Sequence, residues 1–189
     1  MSDLTITSAG VSVAANSAGS SISTGKRKII RVTPTVDTSA YAAGDVIFNS
    51  ATIANAVREE GGWSKLVAVF LHSKNTTNLT FDMVFTENSA TFGSVNATAN
   101  ISNADLKAAN IIGYMSCESA DDTTNFIDNS EIKRIYDSRS DASSSTPSAD
   151  PIFLQAANGS TNVYFSVMGG DTITYSDSKD LQFIFHIEY

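Results

Sequence analysis

Few side chains in this sequence are of the kinds that perform catalysis or bind metal ions. The two histidines, His72 and His186, stand alone, because neither belongs to an H-x-H or H-E-x-x-H pattern of zinc ligands. The single cysteine, Cys117, ends the apolar run IIGYMSC and is expected to be a small core residue. The sequence has no G-x-S-x-G elbow and no phosphate-binding loop. We therefore predict that the chain is not an enzyme and holds no metal or cofactor.

One acidic group is the other candidate for chemistry. Its members lie within a short stretch: Glu118, Asp121, Asp122, Asp128 and Glu131. Paired carboxylates cleave glycosidic bonds, and clustered carboxylates bind calcium. The stretch lacks the D-x-[DN]-x-[DN]-G core of a calcium loop, and nothing in it fixes two carboxylates at a useful distance. A solvated acidic loop is the simpler interpretation, and a glycan hydrolase ranks last among the functions considered.

Two further features suit binding. Trp63, the only tryptophan, follows two glycines, so its ring either stacks on a sugar, anchors an interface or folds over the end of the domain. A basic group precedes the first strong strand and consists of Lys26, Arg27, Lys28 and Arg31. Such a group either protects an exposed sheet edge or docks an acidic partner surface.

The composition of the 189-residue chain limits its partners. The net charge of −8 argues against nucleic acid, because phosphate neutralisation needs clustered Lys and Arg. Hydrophobic residues make up 42% and charged residues only 17%, which predicts a sizeable core under a polar, weakly charged surface. The N-terminal residues lack the pattern of a secretory signal, and no apolar run approaches membrane-spanning length. We expect a soluble protein made in a reducing cytoplasm.

The sequence divides into an N-terminal arm, residues 1–27, and one domain, residues 28–189. Residues 1–25 are rich in Ser, Ala, Gly and Thr and cannot build a core of their own. Spaced apolar pairs, Leu4/Ile6 and Val11/Val13, suit strand addition to a neighbouring chain. An extended arm is therefore favoured over a flexible tail.

Beyond the arm the dominant hydrophobic period is two, which predicts β-strands. The run KIIRVTP ends at Pro34, which cannot donate to a ladder. Residues 65–71, KLVAVFL, are apolar on both faces and are predicted to form a central strand covered on both sides. Residues 79–85 and 181–189 alternate with one apolar face each, and residues 111–117 are predicted to be another buried strand.

Turn and cap signals complete the fold prediction. Asn158-Gly159 between two strand-like segments predicts a hairpin. Ser102 with Asp105 predicts the start of a short helix. Residues 50–62 are either a short helix or an edge strand, and residues 137–151 are predicted to be a long exposed loop. Together these signals predict an all-β fold, a jelly-roll-like antiparallel β-sandwich with one or two short helical turns.

The stretch VTPTVDTSAYAAGDV, residues 32–46, resembles a segment that recurs in small virion structural proteins of tailed bacteriophages. The pattern is roughly V-x-P-x-x-x-x-x-x-Y-x-x-G-D-x-[VIL], carried here by Pro34, Tyr41, Gly44 and Asp45. The similarity continues in order over most of residues 30–189. The further matches are Gly61-Gly62 before Leu66–Leu71, Ala104-Asp105-Leu106 before Ile111-Ile112-Gly113, the segment Asn162-Val163-Tyr164-Phe165, and an ending carried by Gly170, Thr174, Tyr175, Asp180 and Leu181.

This resemblance implies a jelly-roll-like sandwich that assembles on the phage particle, as a decoration or cement protein of the head. It implies the major capsid protein as partner, self-association as a homotrimer, and a virion location after synthesis in the host cytoplasm. The family brings no catalytic motif. A tail or fibre module that binds a receptor or glycan is the alternative. The contact residues expected for these roles are Lys26, Arg27, Lys28, Tyr41 and Trp63, although Tyr41 is also expected to pack over the corner that its segment forms.

Overall fold

The part of the chain that the structure describes consists mainly of β-strands. That part, in a computed structural model, comprises residues 5–8, 11–14, 27–74, 79–117, 123–126, 130–135 and 152–189. The strands in it are β1 (Thr5–Ser8), β2 (Val11–Ala14), β3 (Arg27–Val32), β4 (Val46–Ile53), β5 (Trp63–Ser73), β6 (Phe81–Thr86), β7 (Ile111–Cys117), β8 (Thr123–Phe126), β9 (Ser130–Ile135), β10 (Phe153–Gln155), β11 (Val163–Gly169) and β12 (Leu181–Glu188). The helix in the same ranges is α1 (Asn103–Ala109).

Two antiparallel sheets pack as a sandwich with jelly-roll order. The larger sheet runs β3-β12-β5-β9-β8, with β10 paired to the start of β5, and the smaller sheet runs β4-β11-β6-β7. The strand pairs are nested like the two arms of one long folded hairpin: β3 with β12, β4 with β11, β5 with β9 and β6 with β7. This nesting is the jelly-roll arrangement, so the predicted fold class is confirmed.

The core is a cluster of aromatic rings between the sheets. Phe183 and Phe185 of β12 face Phe85 of β6 and Phe165 of β11, and all four side chains are fully buried. The ring centroid of Phe165 lies 5.2 Å from that of Phe183 and 5.0 Å from that of Phe185. Burying each such side chain contributes roughly 1.5–3 kcal/mol. The period of two in these strands is what brings the rings to one side, as predicted.

The stretch that carries the family resemblance forms a tight corner before β4. Gly44 takes a φ of +86° in a turn closed by the bond from the Asp45 amide to the Ala42 carbonyl, 3.1 Å long. A type II turn needs a positive φ at this position, and glycine adopts it without strain. The Asp45 carboxylate accepts a further bond from the Ala42 amide at 2.7 Å. Both Gly44 and Asp45 thus serve the turn that starts β4.

The short helix α1 is capped as predicted. The Asp105 amide donates to the Ser102 hydroxyl oxygen at 3.1 Å, and the Ser102 hydroxyl donates to the Asp105 carboxylate at 2.7 Å. The helix ends at Asn110, which has a φ of 50°. Of residues 50–62, the first four belong to the edge strand β4, which ends at Ile53, and the rest, including Val57, form turns and bends without a helix. Within the described ranges, no helix has the length and hydropathy of a membrane span.

The hairpin predicted at Asn158-Gly159 is wrong. Gly159 turns the chain with a φ of +77°, but the strands on its two sides join different sheets. β10 pairs with β5, whereas β11 pairs with β4 and β6. The turn therefore carries the chain across from one sheet to the other. An Asn-Gly pair signals a reversal of the chain, and it does not encode which sheet receives the next strand.

The burial of β7 and β5 also differs from the prediction. β7 is an edge strand of the smaller sheet, and its Ile111 and Tyr114 are 48% and 45% exposed. β5 is central as predicted, but only its inward side chains are covered, since Val67 is 43% exposed on the other side and Phe70 is half-buried. A sandwich of two layers leaves the outer side of each layer open. The exposed side chains of β7 and of the outer side of β5 therefore form apolar surface on the domain.

The arm contributes β1 and β2. These strands pair with each other in an antiparallel register that sets Ile6 opposite Val13, and they form a two-stranded sheet of their own. The rest of residues 1–26 and the loop predicted over residues 137–151 lie outside the described residues. Strand addition of the arm to a neighbouring chain stays a prediction.

Candidate functional site

A groove opens at the seam between the two sheets, where β10 approaches β7. We call it the seam groove, and it is lined by Trp63, Glu87, Asn110, Ile111, Ile112, Phe153 and Gln155. Its volume is about 600 Å³. The rings of Trp63 and Phe153 meet edge to face with their centroids 5.4 Å apart, and the two side chains are 62% and 49% exposed. The groove therefore has an aromatic floor that is open to solvent.

The alternation of β5 exposes Trp63. Its neighbour Ser64 points inward, is fully buried, and donates from its hydroxyl to the Ala56 carbonyl at 2.7 Å. Because successive side chains of a strand point to opposite faces, Trp63 points outward. The β10–β5 register sets Phe153 opposite Lys65, two residues from Trp63, and so brings Phe153 to the same face. Of the sequence-based options for Trp63, a ring folded over the end of the domain is therefore not the one observed.

Polar side chains line the rim of the seam groove. The Asn110 side chain donates to the Glu87 carboxylate at 2.9 Å, and the Gln155 side chain donates to the Gly61 carbonyl at 3.1 Å. These bonds hold a carboxylate and two amides beside the aromatic floor. Such a combination suits a ligand that offers an apolar face and several hydroxyl groups.

A second apolar surface is the solvent side of the larger sheet, which we call the outer face. Two rows of cross-strand neighbours show its make-up: Arg31, Ile184, Phe70 and Arg134 in one, and Ile29, His186 and Ala68 in the next. Ile29 is 49% exposed. Val67, the extra residue of a bulge in β5, is also exposed on this side. Antiparallel sheets commonly place polar side chains on their solvent face, so an apolar centre here is a departure.

Basic side chains surround the apolar centre of the outer face. The charged residues on this face, within the described ranges, are Arg27, Arg31, Lys65, Arg134 and Glu188. The Arg27 guanidinium lies 3.8 Å from the Glu188 carboxylate, and the pair is weak because the Arg27 side chain is 77% exposed. With four basic groups and one acidic group the face carries +3, although the whole chain carries −8.

The basic group predicted from the sequence does not form one surface. Arg27 and Arg31 lie on the outer face at the edge strand β3, whereas Lys28 points to the opposite side and donates to the Asn55 carbonyl at 3.3 Å. Lys26 lies outside the described residues. Charges on an edge strand discourage pairing with other chains. Arg31 also contributes to the positive charge of the outer face.

Tyr41 is buried inside the corner before β4, with 1% of its surface exposed. Its hydroxyl accepts a bond from the Asp37 amide at 2.6 Å and donates to the Ile47 carbonyl at 3.3 Å. Burial raises the pKa of the Tyr41 hydroxyl, and the bond from Asp37 offsets part of that rise. The ring has no free face for a sugar or a partner protein, so Tyr41 packs in the corner and is not placed to be a contact residue.

Residues of the family resemblance that lie far apart in sequence meet at this corner. The rings of Tyr41 and Tyr175 contact each other edge to face, with centroids 5.7 Å apart. Burial raises the pKa of Tyr175, and nearby Tyr41, Asp180 and Cys117 raise it further. One carboxylate oxygen of Asp180 accepts bonds from the Ser176 amide and hydroxyl at 2.6 and 2.9 Å, which shapes the loop before β12. The resemblance thus falls on residues that build the fold.

Those residues considered for catalysis that the structure describes are not assembled into a site. His186 lies on the outer face with its ring 5.1 Å from that of Phe70. Cys117 is buried, and its thiol donates to the Leu79 carbonyl at 3.4 Å. In the described part of the chain, no group of three His, Cys, Asp or Glu side chains is placed to hold a metal ion. Of the acidic group, Glu131 is described, while Glu118, Asp121, Asp122 and Asp128 lie outside the described residues.

Sequence reasoning missed a pair of buried charges on β9. Glu131 and Lys133 point inward and are 2% and 0% exposed. The Lys133 ammonium donates to the Leu79 carbonyl at 3.2 Å, while Glu131 Oε1 has no hydrogen-bond partner among the described residues. Burial raises the pKa of Glu131, and the charge of Lys133 lowers it in part. The alternation E-I-K-R-I is visible in the sequence, but alternation does not tell which of two faces is inside.

The protein is a jelly-roll β-sandwich, and its described residues form two exposed apolar surfaces, the seam groove and the outer face. No family model, curated protein or solved structure matches this chain. Its function must therefore be inferred from these surfaces and from the sequence motifs.

Proposed function

We propose that this chain is a virion structural protein, a decoration or cement protein that binds the assembled head of a tailed phage and stabilises it. The observation that carries the proposal is the exposed aromatic pair Trp63–Phe153 in the seam groove, next to Ile111. The resemblance of residues 32–46 supplies the kind of particle, and the major capsid protein is the proposed partner. The proposed location is the virion, after synthesis in the host cytoplasm.

The seam groove has the character of a protein contact. Trp63 and Phe153 keep about half or more of their surface in water, which is costly unless a partner covers them. Tryptophan is among the residues that dominate the binding energy of interfaces when it enters a partner's pocket. A strongly bonded sandwich beneath the groove supports this role, since a rigid surface loses little conformational entropy on binding.

Binding to heads that lack the protein tests the proposal. The purified chain is mixed with heads of the virus whose genome encodes it, and bound copies are counted after sedimentation. We expect saturable binding that Trp63→Ala and Phe153→Ala each weaken roughly tenfold or more. Val95→Ala is the matched control, because Val95 is also an exposed apolar residue, at 43%, but lies outside the groove. Failure of the wild-type chain to bind would refute the proposal.

A second candidate function is a tail or fibre module that binds a glycan. The observation that favours it is the polar rim of Glu87, Asn110 and Gln155 beside the exposed Trp63 ring, since sugars present both an apolar face and hydroxyls. Trp63 is the only tryptophan, so its fluorescence reports directly on the groove during titration with host-surface saccharides. Immunogold labelling separates the two functions, because label at the tail tip contradicts a head protein and label on the head contradicts a tail module.

A further inference from the structure

The turn between β10 and β11, residues 157–160, carries the one Asn-Gly pair of the sequence, Asn158-Gly159. The Ser160 amide donates to the Ala157 carbonyl at 2.9 Å and closes the turn, and Asn158 and Gly159 are exposed at its tip. A Cβ atom at Gly159 would meet nothing within 4 Å. The pair is therefore unhindered and in contact with water.

An exposed Asn-Gly pair has the groups for a reaction within the chain. The backbone nitrogen of Gly159 attacks Cγ of the Asn158 side chain, and the new N–Cγ bond closes a succinimide ring. The Cγ–Nδ2 bond breaks, and the departing nitrogen takes the amide proton of Gly159 and leaves as ammonia. Water then opens the ring at either carbonyl and gives aspartate or isoaspartate, so no oxidant or cofactor is required. Asparagine is a thermolabile residue, and glycine after it has no Cβ to obstruct the attacking nitrogen.

The hydrogen bonds of the turn leave both reacting groups free. Among the described residues, neither the Gly159 amide nor the Asn158 side chain has a hydrogen-bond partner. Asn49 shows the opposite case, because its side chain donates to the Gly93 carbonyl and accepts from the Phe92 amide, both at 2.8 Å. An asparagine held on both sides cannot turn Cγ toward the next nitrogen, whereas Asn158 is free to do so.

The turn is also tied to the seam groove. The Gly61 amide donates to the Ser160 carbonyl at 2.9 Å, and the Gly61 carbonyl accepts the bond from Gln155 of the groove. A Cβ atom at Gly61 would lie 3.5 Å from Asn158 Cα, so the two segments are in contact. Trp63 follows two residues after Gly61. Isoaspartate adds a methylene to the main chain of the turn, and either product adds a negative charge, so both changes act on the segment that leads to Trp63.

We propose that Asn158 is a site of spontaneous conversion to aspartate and isoaspartate, and that this conversion alters the seam groove. The proposal concerns the purified chain and holds whatever the groove binds.

Incubation of the purified chain at neutral and at mildly alkaline pH, followed by peptide mapping with mass spectrometry, tests the modification. We expect both products at position 158, formed faster at the higher pH because the attacking nitrogen must lose its proton. Asn100 is the internal reference, since it is also exposed but is followed by the branched residue Ile101, and it is expected to stay intact. Asn158→Gln is expected to abolish the reaction at its position, because the longer side chain closes a ring far less readily.

The fluorescence of Trp63, the only tryptophan, reports the effect on the groove. The emission of the incubated wild-type chain is expected to shift, whereas that of incubated Asn158→Gln stays as it was before incubation. Asn100→Gln is the matched control, which keeps the reactive pair and is expected to change as the wild type does. Circular dichroism before incubation verifies that both variants are folded.

Two kinds of result would overturn the proposal. Conversion at Asn158 that is absent, or no faster than at Asn100, would refute the modification. An emission that stays constant while Asn158 converts, or that shifts equally in Asn158→Gln, would refute the link to the groove. None of these measurements involves heads, so the outcome is separate from that of the proposed function.

Discussion

Glu131 and Lys133 place two ionisable groups inside an apolar sandwich. Lys133 is fully buried, and its ammonium has the Leu79 carbonyl as a partner. Glu131 lies two residues away on the same side of β9, and its pKa is raised by burial. Taking a carboxylate out of water disfavours its charged form, and the nearby positive charge compensates only in part. Glu131 is therefore a site where protonation and folding are linked.

Glu131→Gln is expected to change the pH dependence of stability. The pKa of Glu131 is about 4.5 in an unfolded chain and higher in the folded protein, so the folded state binds the proton more tightly. Ionisation of Glu131 thus destabilises the wild-type fold as pH rises above about 4.5, and glutamine avoids this loss. The free energy of unfolding of the variant, relative to wild type, should increase from pH 4.5 to 7.5 in denaturant titrations.

The exposed residue Glu59 offers a control for this measurement. Glu59→Gln removes the same charge from the surface, and its stability relative to wild type should show little dependence on pH. A Glu131→Gln difference that is constant across the pH range, or that falls as pH rises, would contradict the linkage.

At the scale of elements, the end of β11 shows how closely the strands of the smaller sheet are fitted. Gly170 follows β11, and its amide donates to the Thr80 carbonyl at 2.8 Å. A Cβ atom at Gly170 would lie 2.7 Å from Thr80 Oγ1 and 3.1 Å from the Thr80 carbonyl carbon. Glycine is needed here because of this close approach of two backbones. Gly170 is also one of the residues that carry the family resemblance, and the close approach to Thr80 gives a physical reason for a glycine at that position.

Gly170→Ala is expected to destabilise the fold by about 1–3 kcal/mol, because part of the clash is with backbone that cannot turn away. Thermal unfolding followed by circular dichroism measures the effect. Gly113→Ala is the matched control in the same sheet, where the nearest atom is Ile152 Cγ2 at 3.3 Å. That side chain is free to shift by a few tenths of an ångström, so a smaller loss is expected. Equal losses at both glycines would show that the clash at Thr80 is not the cause.

Sequence alone was sufficient where a pattern is decided by local geometry. The alternation of residues 181–189 predicts an inward face, and the cap at Ser102 predicts the start of α1, because both signals act within a few residues. The position of a strand within its sheet, and hence its burial, depends instead on residues that are distant in sequence. IIGYMSC is apolar enough for a central strand, yet β7 has a partner on one side only. The hairpin failed at Asn158-Gly159 for the same reason, since sheet membership is a long-range property.

The candidate site was predicted only in part for a similar reason. Trp63 stands out as the one tryptophan after two glycines, so composition and a turn signal identify it. Its partner Phe153 lies ninety residues further along and reaches it through the β10–β5 register, which no local pattern specifies. The outer face was missed because its residues come from four strands, and β3, β12 and β9 each contribute only one apolar side chain to it.

At the scale of the whole molecule, one aromatic cluster joins the two sheets. Phe165 contacts the rings of Phe48, Phe85, Phe183 and Phe185, so strands from both sheets meet on this side chain. Each strand pair in the jelly roll is also held by its nested neighbour. We therefore expect the domain to unfold as one cooperative unit.

Phe165→Ala is expected to cost about 3–5 kcal/mol, because the cavity lies where both sheets meet and cannot collapse onto one of them. Phe153→Ala removes the same number of atoms from a half-exposed ring and should cost much less. Urea titrations of the two variants measure the difference in the free energy of unfolding. Similar losses for both variants would mean that the cluster does not join the sheets as described.

The place of β12 between β3 and β5 has a consequence for synthesis. The ribosome makes β3 and β5 first and makes β12 roughly a hundred residues later, so the edges of β3 and β5 that pair with β12 have no partner in the meantime. A chain whose translation stops before β12 lacks both the strand that joins β3 to β5 and two rings of the aromatic cluster. Such a fragment cannot present the outer face, which is built across β3, β12 and β5. Any contact made through the outer face is therefore restricted to chains whose translation has passed β12.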